Sequence, residues 1–459
     1  MTATGPARSD RPRVLAPGRG PRSRTGFARR LSAACAAAAI SVACGGTPGS
    51  DAGKRGVETV RFWGLGREGE VVQPLLRAFE RANPGVRVET QQMPFTAAHE
   101  KILTAFVGRA TPDVTQLGNT WIPELVALEA LEPLGNRIAG SSVRPQDFFP
   151  GIWATNEIDG VPYGVPWYVD TRVLFYRTDL FARAGVTAPP RSWEEWRDDL
   201  RRVKELPGGE RYGVLLPIDE WAQPVILALQ ARADLLADGG RRGDFHDPRF
   251  RRAFGFYVSL FTEKLAPPLG NAQVANPYQQ FADGYFASWI TGPWNLSEFR
   301  NRIPPGWQGD WTTAPLPAID EADYPGVSTA GGSSFVIFRA STHKDEAFRL
   351  IEYLASVSQQ VEFYRLIGDL PARIAAWDDP ELEGEPRLRA FRAQLQHVQP
   401  MPRLPEWERI AWAIAEAAER AILGQQTIDQ SLDQLQTEVD RMLAKRRFLL
   451  DRRARSGRR

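Results

Sequence analysis

Between Gly164 and Arg177 the chain sets Trp167, Tyr168, Asp170, Arg172 and Tyr176 between a Gly-Val-Pro approach and an alternating apolar run. Rings with polar handles, one carboxylate and one guanidinium suit a cleft that grips a ligand by its hydroxyls and its flat faces. A second such place is Thr291-Gly292-Pro293-Trp294-Asn295, read as a turn presenting Trp294. The composition fits, with 14 Trp against 10 Tyr. The glycine loop Gly64-Leu65-Gly66-Arg67-Glu68-Gly69 has neither a GxGxxG register nor Gly-Lys-Ser/Thr, so it is expected to make a tight turn beside a ligand rather than to bind phosphate.

Other chemistries are excluded. The only cysteines are Cys35 and Cys44, and His99, His246, His343 and His397 are scattered. Neither a disulfide framework nor a metal site is expected in the body, and no cofactor. The net charge of +2 hides basic ends: eight Arg in residues 1–43 and nine Lys/Arg in residues 441–459. The remainder carries 40 basic and 53 acidic residues, which argues against nucleic acid as a partner.

These residues need elements to position them. Residues 58–63 alternate as a strand, and Val71, Val72, Leu75, Leu76 and Phe79 share a helical face, with Pro74 tolerable only near a first turn. Strands are expected at 86–90 and 112–117 and helices at 98–107 and 121–128. The short alternation implies a parallel sheet covered by helices. Ligands of such sheets sit at the carboxyl ends of strands, here Trp63–Glu68 and Gly118–Trp121. Beyond residue 177, Ser192-Trp193-Glu194-Glu195 reads as a capping box. Strands are expected at 211–216, 286–290 and 335–338, and helices at 221–231, 250–261, 344–356, 359–367, 406–423 and from Thr427 to about 448. At 459 residues the chain suits two or three domains, and no span is long enough for a membrane helix.

At the N-terminus an Arg-rich run precedes a short apolar run, residues 31–43, ending Ala43-Cys44-Gly45-Gly46. This resembles a bacterial lipoprotein signal, with residues 1–43 removed, Cys44 acylated and residues 44–56 a flexible linker. The usual aliphatic residue three before the cysteine is here Ser41. A plain secretory signal is the alternative. Residues 446–459 form a basic tail.

In order along residues 57–445 come Val60-Arg61-Phe62-Trp63, Phe79-Glu80-Arg81-Ala82-Asn83-Pro84, Thr111-Pro112-Asp113-Val114 and Asp170-Thr171 with Leu174-Phe175-Tyr176. Thr291-Gly292-Pro293-Trp294, Gly331-Gly332, Leu370-Pro371-Ala372-Arg373 and Gly424-Gln425-Gln426-Thr427-Ile428-Asp429 follow. The chain thereby resembles the extracellular solute-binding proteins of ABC importers, in the sugar-binding group related to maltose- and trehalose-binding proteins. The resemblance implies an α/β, periplasmic-binding-protein-like type II fold: two lobes joined by a hinge the chain crosses several times, with ligand in the cleft. It places the first lobe at 57–167 and 319–356 and the second at 168–318 and 357–445.

Matching positions imply a ligand site of Glu68 and Asn119 from the first lobe, and Tyr168, Asp170 and Trp294 from the hinge and second lobe. Gly331 and Gly332 would offer backbone groups at close approach. Arg373 would fork to ligand hydroxyls or to Asp170. Each has a structural alternative: Glu68 and Asn119 as helix caps, Tyr168 and Asp170 as hinge structure, the glycines as a turn, Arg373 as an ion pair, Trp294 as core. Trp63, Trp121, Trp221, Trp289, Trp407 and Trp412 are weaker candidates. The implied function is a non-catalytic, monomeric receptor outside the cytoplasmic membrane, lipid-anchored. It captures a sugar, expected to be an oligosaccharide, for permease subunits driven by a cytoplasmic ATPase. The alternatives are a sensing or adhesion lipoprotein of the same fold, or a secreted glycoside hydrolase. The hydrolase needs two carboxyls flanking one bond, whereas Glu68 and Asp170 are expected on different lobes.

Overall fold

In the computed structural model, residues 56–456 are described. Cys44, the expected signal segment and all but the last residue of the expected linker lie outside them. Strand β1 (Glu58–Leu65) runs directly into helix α1 (Gly66–Val71), and α2 (Gln73–Ala82) follows with Pro74 in its first turn. The amphipathic stretch is thus two helices, because Pro lacks the N–H a continuous helix would need there. Then come β2 (Val86–Met93), α3 (Phe95–Val107), β3 (Val114–Gly118) and α4 (Ile122–Ala127). The opening stretch becomes two strands, β4 (Gly164–Asp170) and β5 (Val173–Arg177), separated only by Thr171 and Arg172.

Helix α5 (Trp193–Lys204) starts where expected, with the Ser192 hydroxyl accepting from the Glu195 N–H. After α6 (Ala222–Gln230) and α7 (Pro248–Thr262) come β6 (Ser288–Thr291), α8 (Trp294–Arg302) and β7 (Trp311–Ala314). Next are β8 (Gly331–Ile337), α9 (Lys344–Leu354), α10 (Val357–Ile367) and β9 (Leu370–Pro371). Helices α11 (Trp407–Ile422), α12 (Ile428–Met442, opened by a Thr427/Gln430 capping box) and α13 (Ala444–Ser456) end the described chain. None of the described helices is long and apolar enough to cross a membrane.

The strands form a six-stranded sheet, in the order β9-β4-β8-β3-β1-β2, and a three-stranded sheet, β6-β5-β7. Only β1 with β2 and β3 is parallel; β8, β4 and β9 pair antiparallel, so the first sheet is mixed where a parallel one was expected. The return of β8 between β3 and β4, after a long excursion, causes this: a strand entering from the opposite end can only pair antiparallel. Residues 211–216, expected as a strand, make only isolated bridges, Tyr212 to Phe286 and Leu215 to Trp289.

Alternation along the strands builds a core on each face of the first sheet. Val60, Phe62, Val114, Phe335 and Ile337 enter one cluster; Leu65, Leu117 and Val336 enter the other. Trp167 is fully buried, stacked between Phe335 at 4.5 Å and Phe363 at 4.3 Å, each contact worth about 1 kcal/mol beyond its buried area. A further cluster gathers α5, α6, α7, α11 and α12 behind the three-stranded sheet. The chain passes between sheets at Thr171–Arg172 and again between β7 and β8. Tyr168–Asp170 and Leu370–Pro371, expected with the second lobe, lie in the six-stranded sheet.

Candidate functional site

The crossover at Thr171–Arg172 is the centre of the site. Thr171 is fully buried, and Arg172 is clasped at its backbone: its N–H donates to the Ser328 hydroxyl, which donates in turn to the Arg172 carbonyl, both at 3.1 Å. The side chain lies between two sequence-predicted residues. Its Nη1 donates to Asp170 Oδ1 at 3.2 Å, and its guanidinium carbon sits 4.4 Å from the centre of the Trp294 ring. Asp170 closes β4 in the first sheet; Trp294 opens α8, just beyond β6 of the second. Burial pushes the Asp170 carboxyl up, against the opposing pull of Arg172 and of the Gly332 N–H. Trp294 stays 42% exposed. A Cβ on Gly292 would stand 2.0 Å from its ring, so the Gly-Pro-Trp turn lets the indole lie against the backbone.

Tyr168, two residues before Asp170 and on the same face, is buried. Its hydroxyl donates to Glu68 Oε1 at 2.8 Å and accepts from the Ser333 hydroxyl at 3.0 Å and Gln116 Nε2 at 3.2 Å. Gln116 is fixed by the Leu65 N–H, which donates to its Oε1 at 2.7 Å. Burial, then Glu68 and Asp369, push the Tyr168 phenol well up, so it is a neutral donor at ordinary pH. Glu68 on α1 is therefore a partner of Tyr168; the first turn of α1 has no side-chain cap.

The two glycines serve the same corner. Gly331 pairs with Asp170 and Gly332 with Val169. A Cβ on Gly331 would fall 2.1 Å from Asp170 Oδ1, and one on Gly332, at φ +118, 2.2 Å from the Tyr168 carbonyl oxygen. The close approach they permit is of β8 to β4.

Arg373 lies elsewhere. It is buried, its Nε donates to the Ala355 carbonyl and its Nη1 to Asp147, both at 2.7 Å, and its guanidinium covers the Phe148 ring at 5.0 Å. These contacts join α9 and β9 to the 145–148 loop, so the expected fork to Asp170 is not formed. Asn119 is buried with Oδ1 accepting from Ser334 at 2.8 Å; its Nδ2 has no partner among the described residues. It lines a cavity of about 10 Å³ with Thr120, Thr155, Ala330 and Met401. Trp167, Trp289 and Trp407 are buried packing residues, and Trp121 packs on His99 at 5.0 Å.

Glu68 and Asp170 were expected on opposite lobes; Asp170 ends β4 of the six-stranded sheet, and Glu68 lies on α1, the helix that directly follows β1 of the same sheet and bonds Tyr168 of β4. Asp369, just before β9, joins them. Burial, then Glu68 and Asp170, push its carboxyl well up, opposed by Arg67, and its Oδ2 is buried without a partner among the described residues. Asp369 was not selected from the sequence, and Arg172, noted there as the guanidinium of the Gly164–Arg177 stretch, matched no ligand position of the family. The only available signals were an acid directly before Leu370-Pro371 and a guanidinium two residues from Asp170. No group of His, Cys, Asp and Glu able to hold a metal is found among the described residues.

Two sheets sharing a two-residue crossover, with carboxylates, a guanidinium and an exposed indole gathered there, define an α/β ligand-binding protein. Residues 63–361 match the bacterial extracellular solute-binding protein family, and the chain belongs to it. Among solved structures it is similar to the sugar-binding protein MalE of Xanthomonas citri, 45% identical over 86% of this chain and 99% of that one, with a TM-score of 0.83. Among curated relatives it is similar to the maltotriose-binding protein of Pyrococcus abyssi, 24% identical over 76% of this chain and 74% of that protein. It is also similar to the diacetylchitobiose binding protein DasA of Streptomyces coelicolor, 24% identical over 83% and 90%. Family and fold are those of binding proteins that work outside the cytoplasm.

Proposed function

We propose that this chain is the substrate-binding receptor of an ABC importer for a sugar, of oligosaccharide size, and that it catalyses nothing. The observation that carries the reading is the Asp170–Arg172–Trp294 group, which brings a carboxylate from one sheet and an exposed indole from the other to the crossover between them. A sugar needs acceptors and donors for its hydroxyls and a flat apolar surface for its ring. The relatives named above are binding proteins for sugars, which supports that class.

In this reading the lobes are the two sheets with their helices, and the first extends through β4, β8 and β9. The crossover at Thr171–Arg172 is one strand of the hinge. Capture closes the lobes because ligand contacts on both sides favour the closed state. The receptor acts as a monomer, anchored through acylated Cys44, and delivers to a permease with a cytoplasmic ATPase. A thermal-shift screen of the purified protein against mono-, di- and oligosaccharides, with amino acids and polyamines as controls, tests the ligand class. A sugar should raise Tm; a rise with amino acids or polyamines alone would refute the sugar assignment.

A further inference from the structure

We infer that Arg172 is a positioning residue of this site, holding the Asp170 carboxylate and the Trp294 ring in one arrangement across the crossover and thereby setting how far into acid the site still captures ligand. The inference rests on the sugar reading for its ligand and on the geometry and charges around Arg172 for the rest.

Three observations converge. First, the Arg172 backbone is held from both sides by Ser328, a residue of the returning crossing, so the root of the side chain is fixed. Second, the guanidinium meets Asp170 and Trp294 together, although Asp170 ends a strand of one sheet and Trp294 opens the helix just beyond a strand of the other. Third, Arg172 Nε is buried without a partner among the described residues. An arginine free to optimise its own hydrogen bonds would not bury that donor idle. The side chain is held where Asp170 and Trp294 need it.

The charges around Asp170 show why it needs a cation. Asp369, in the segment before β9, feels both Asp170 and Glu68, and Glu68 on α1 is hydrogen-bonded to Tyr168. Arg67 opposes the carboxylates at Asp369, and β8 contributes the Gly332 N–H to Asp170. Among the described residues, Arg172 is the one side-chain cation on Asp170 itself. Without it, burial acts on the Asp170 carboxylate with only the Gly332 N–H opposing, and the group takes up a proton more readily. A protonated Asp170 accepts hydroxyl donors less well, and Trp294 loses a contact that fixes its ring.

The test compares wild type with Arg172→Met, Arg172→Lys and the double variant Asp170→Asn/Arg172→Met. Two readouts are followed from pH 4.5 to 7.5: affinity for maltotriose and Tm. For affinity, Arg172→Met should bind about tenfold more weakly at pH 6, with its loss of affinity on acidification beginning at higher pH than in wild type, and Arg172→Lys should restore most of the profile. For stability, Asp170 in the folded chain holds its proton more tightly than in the unfolded chain. It therefore costs stability as pH rises through its titration, and losing Arg172 deepens that cost. The Tm deficit of Arg172→Met should thus be about 3 °C larger at pH 7.5 than at pH 4.5, and this pH dependence should vanish in the Asp170→Asn background. A deficit equal at all pH values, in both backgrounds, would reduce Arg172 to ordinary packing and overturn the inference. Unchanged sugar profiles with normal wild-type binding would also overturn it. If wild type binds no sugar at all, the receptor reading for sugars fails, and the Tm comparison decides Arg172 by itself.

Discussion

Replacing Arg373 by Ala separates the role implied by resemblance from the role seen in the fold. In the structure Arg373 has two hydrogen bonds of 2.7 Å, to the Ala355 carbonyl and to Asp147, and its plane covers Phe148. Truncation leaves a buried carbonyl without its donor, releases Asp147 and opens a void beside Phe148. The carbonyl contributes about 1 kcal/mol and the lost packing about 1–2 kcal/mol. Asp147 is 38% exposed, so its share is discounted for solvent screening to about 0.5 kcal/mol. Together these give about 3 kcal/mol, or a Tm lower by about 4 °C for a chain of this length. Arg373→Lys should recover only part of this, since a lysine cannot form both bonds with one planar group. Urea unfolding and calorimetry measure the loss, and sugar affinity below the transition should stay within about twofold. An Arg373→Ala protein with unchanged unfolding and at least tenfold weaker sugar binding would refute the structural assignment and restore Arg373 to the ligand.

Trp294→Ala and Asp170→Ala should each weaken sugar binding by about tenfold or more, measured by titration calorimetry, while Trp294→Ala, being exposed, leaves Tm within about 2 °C. Gly331→Ala should lower both affinity and stability, because its Cβ would displace the Asp170 carboxylate; an unaffected variant would contradict the close β8–β4 approach. His99 offers a pH test. Its Nε2 lies 2.7 Å from Glu124, whose bond raises the imidazole pKa above 6.5 against opposing burial, with Glu408 and Glu100 adding in the same sense. A raised pKa gives stability that is complete below the unfolded value and lost as pH rises through the folded one. His99→Gln should therefore lower Tm at pH 5.5 but have little effect at pH 9, and a deficit that grew with pH would reverse that assignment.

Much of the fold was legible because it rests on local pattern. The alternation in 58–63, the capping residues Ser192 and Thr427 and the helical apolar faces act over a few residues. What was not legible depended on pairings across long separations. Residues 211–216 have a strand's composition, but they find only isolated bridges. The antiparallel return of β8 depends on a partner more than 150 residues away, and no local signal carries that direction.

The site shows the same division more sharply. Tyr168 and Asp170 could be read as a pair on one strand face, and Gly331-Gly332 as a place of close approach. The object approached is β4 itself, which no spacing could say. Arg172 and Asp369 matter through their neighbours: Arg172 through Trp294, far along the chain, and Asp369 through Glu68 and Asp170. Three carboxylates gathered near one buried tyrosine repel one another, and folding alone gives no reason to assemble them. The arrangement is understandable if their oxygens serve hydroxyl donors supplied from outside. Since all three stand on the first sheet or on segments adjoining its strands, the share of such a ligand beside the second sheet falls to Trp294. Arg172, which touches both Asp170 and Trp294, is then the residue through which a change at the carboxylates reaches the indole.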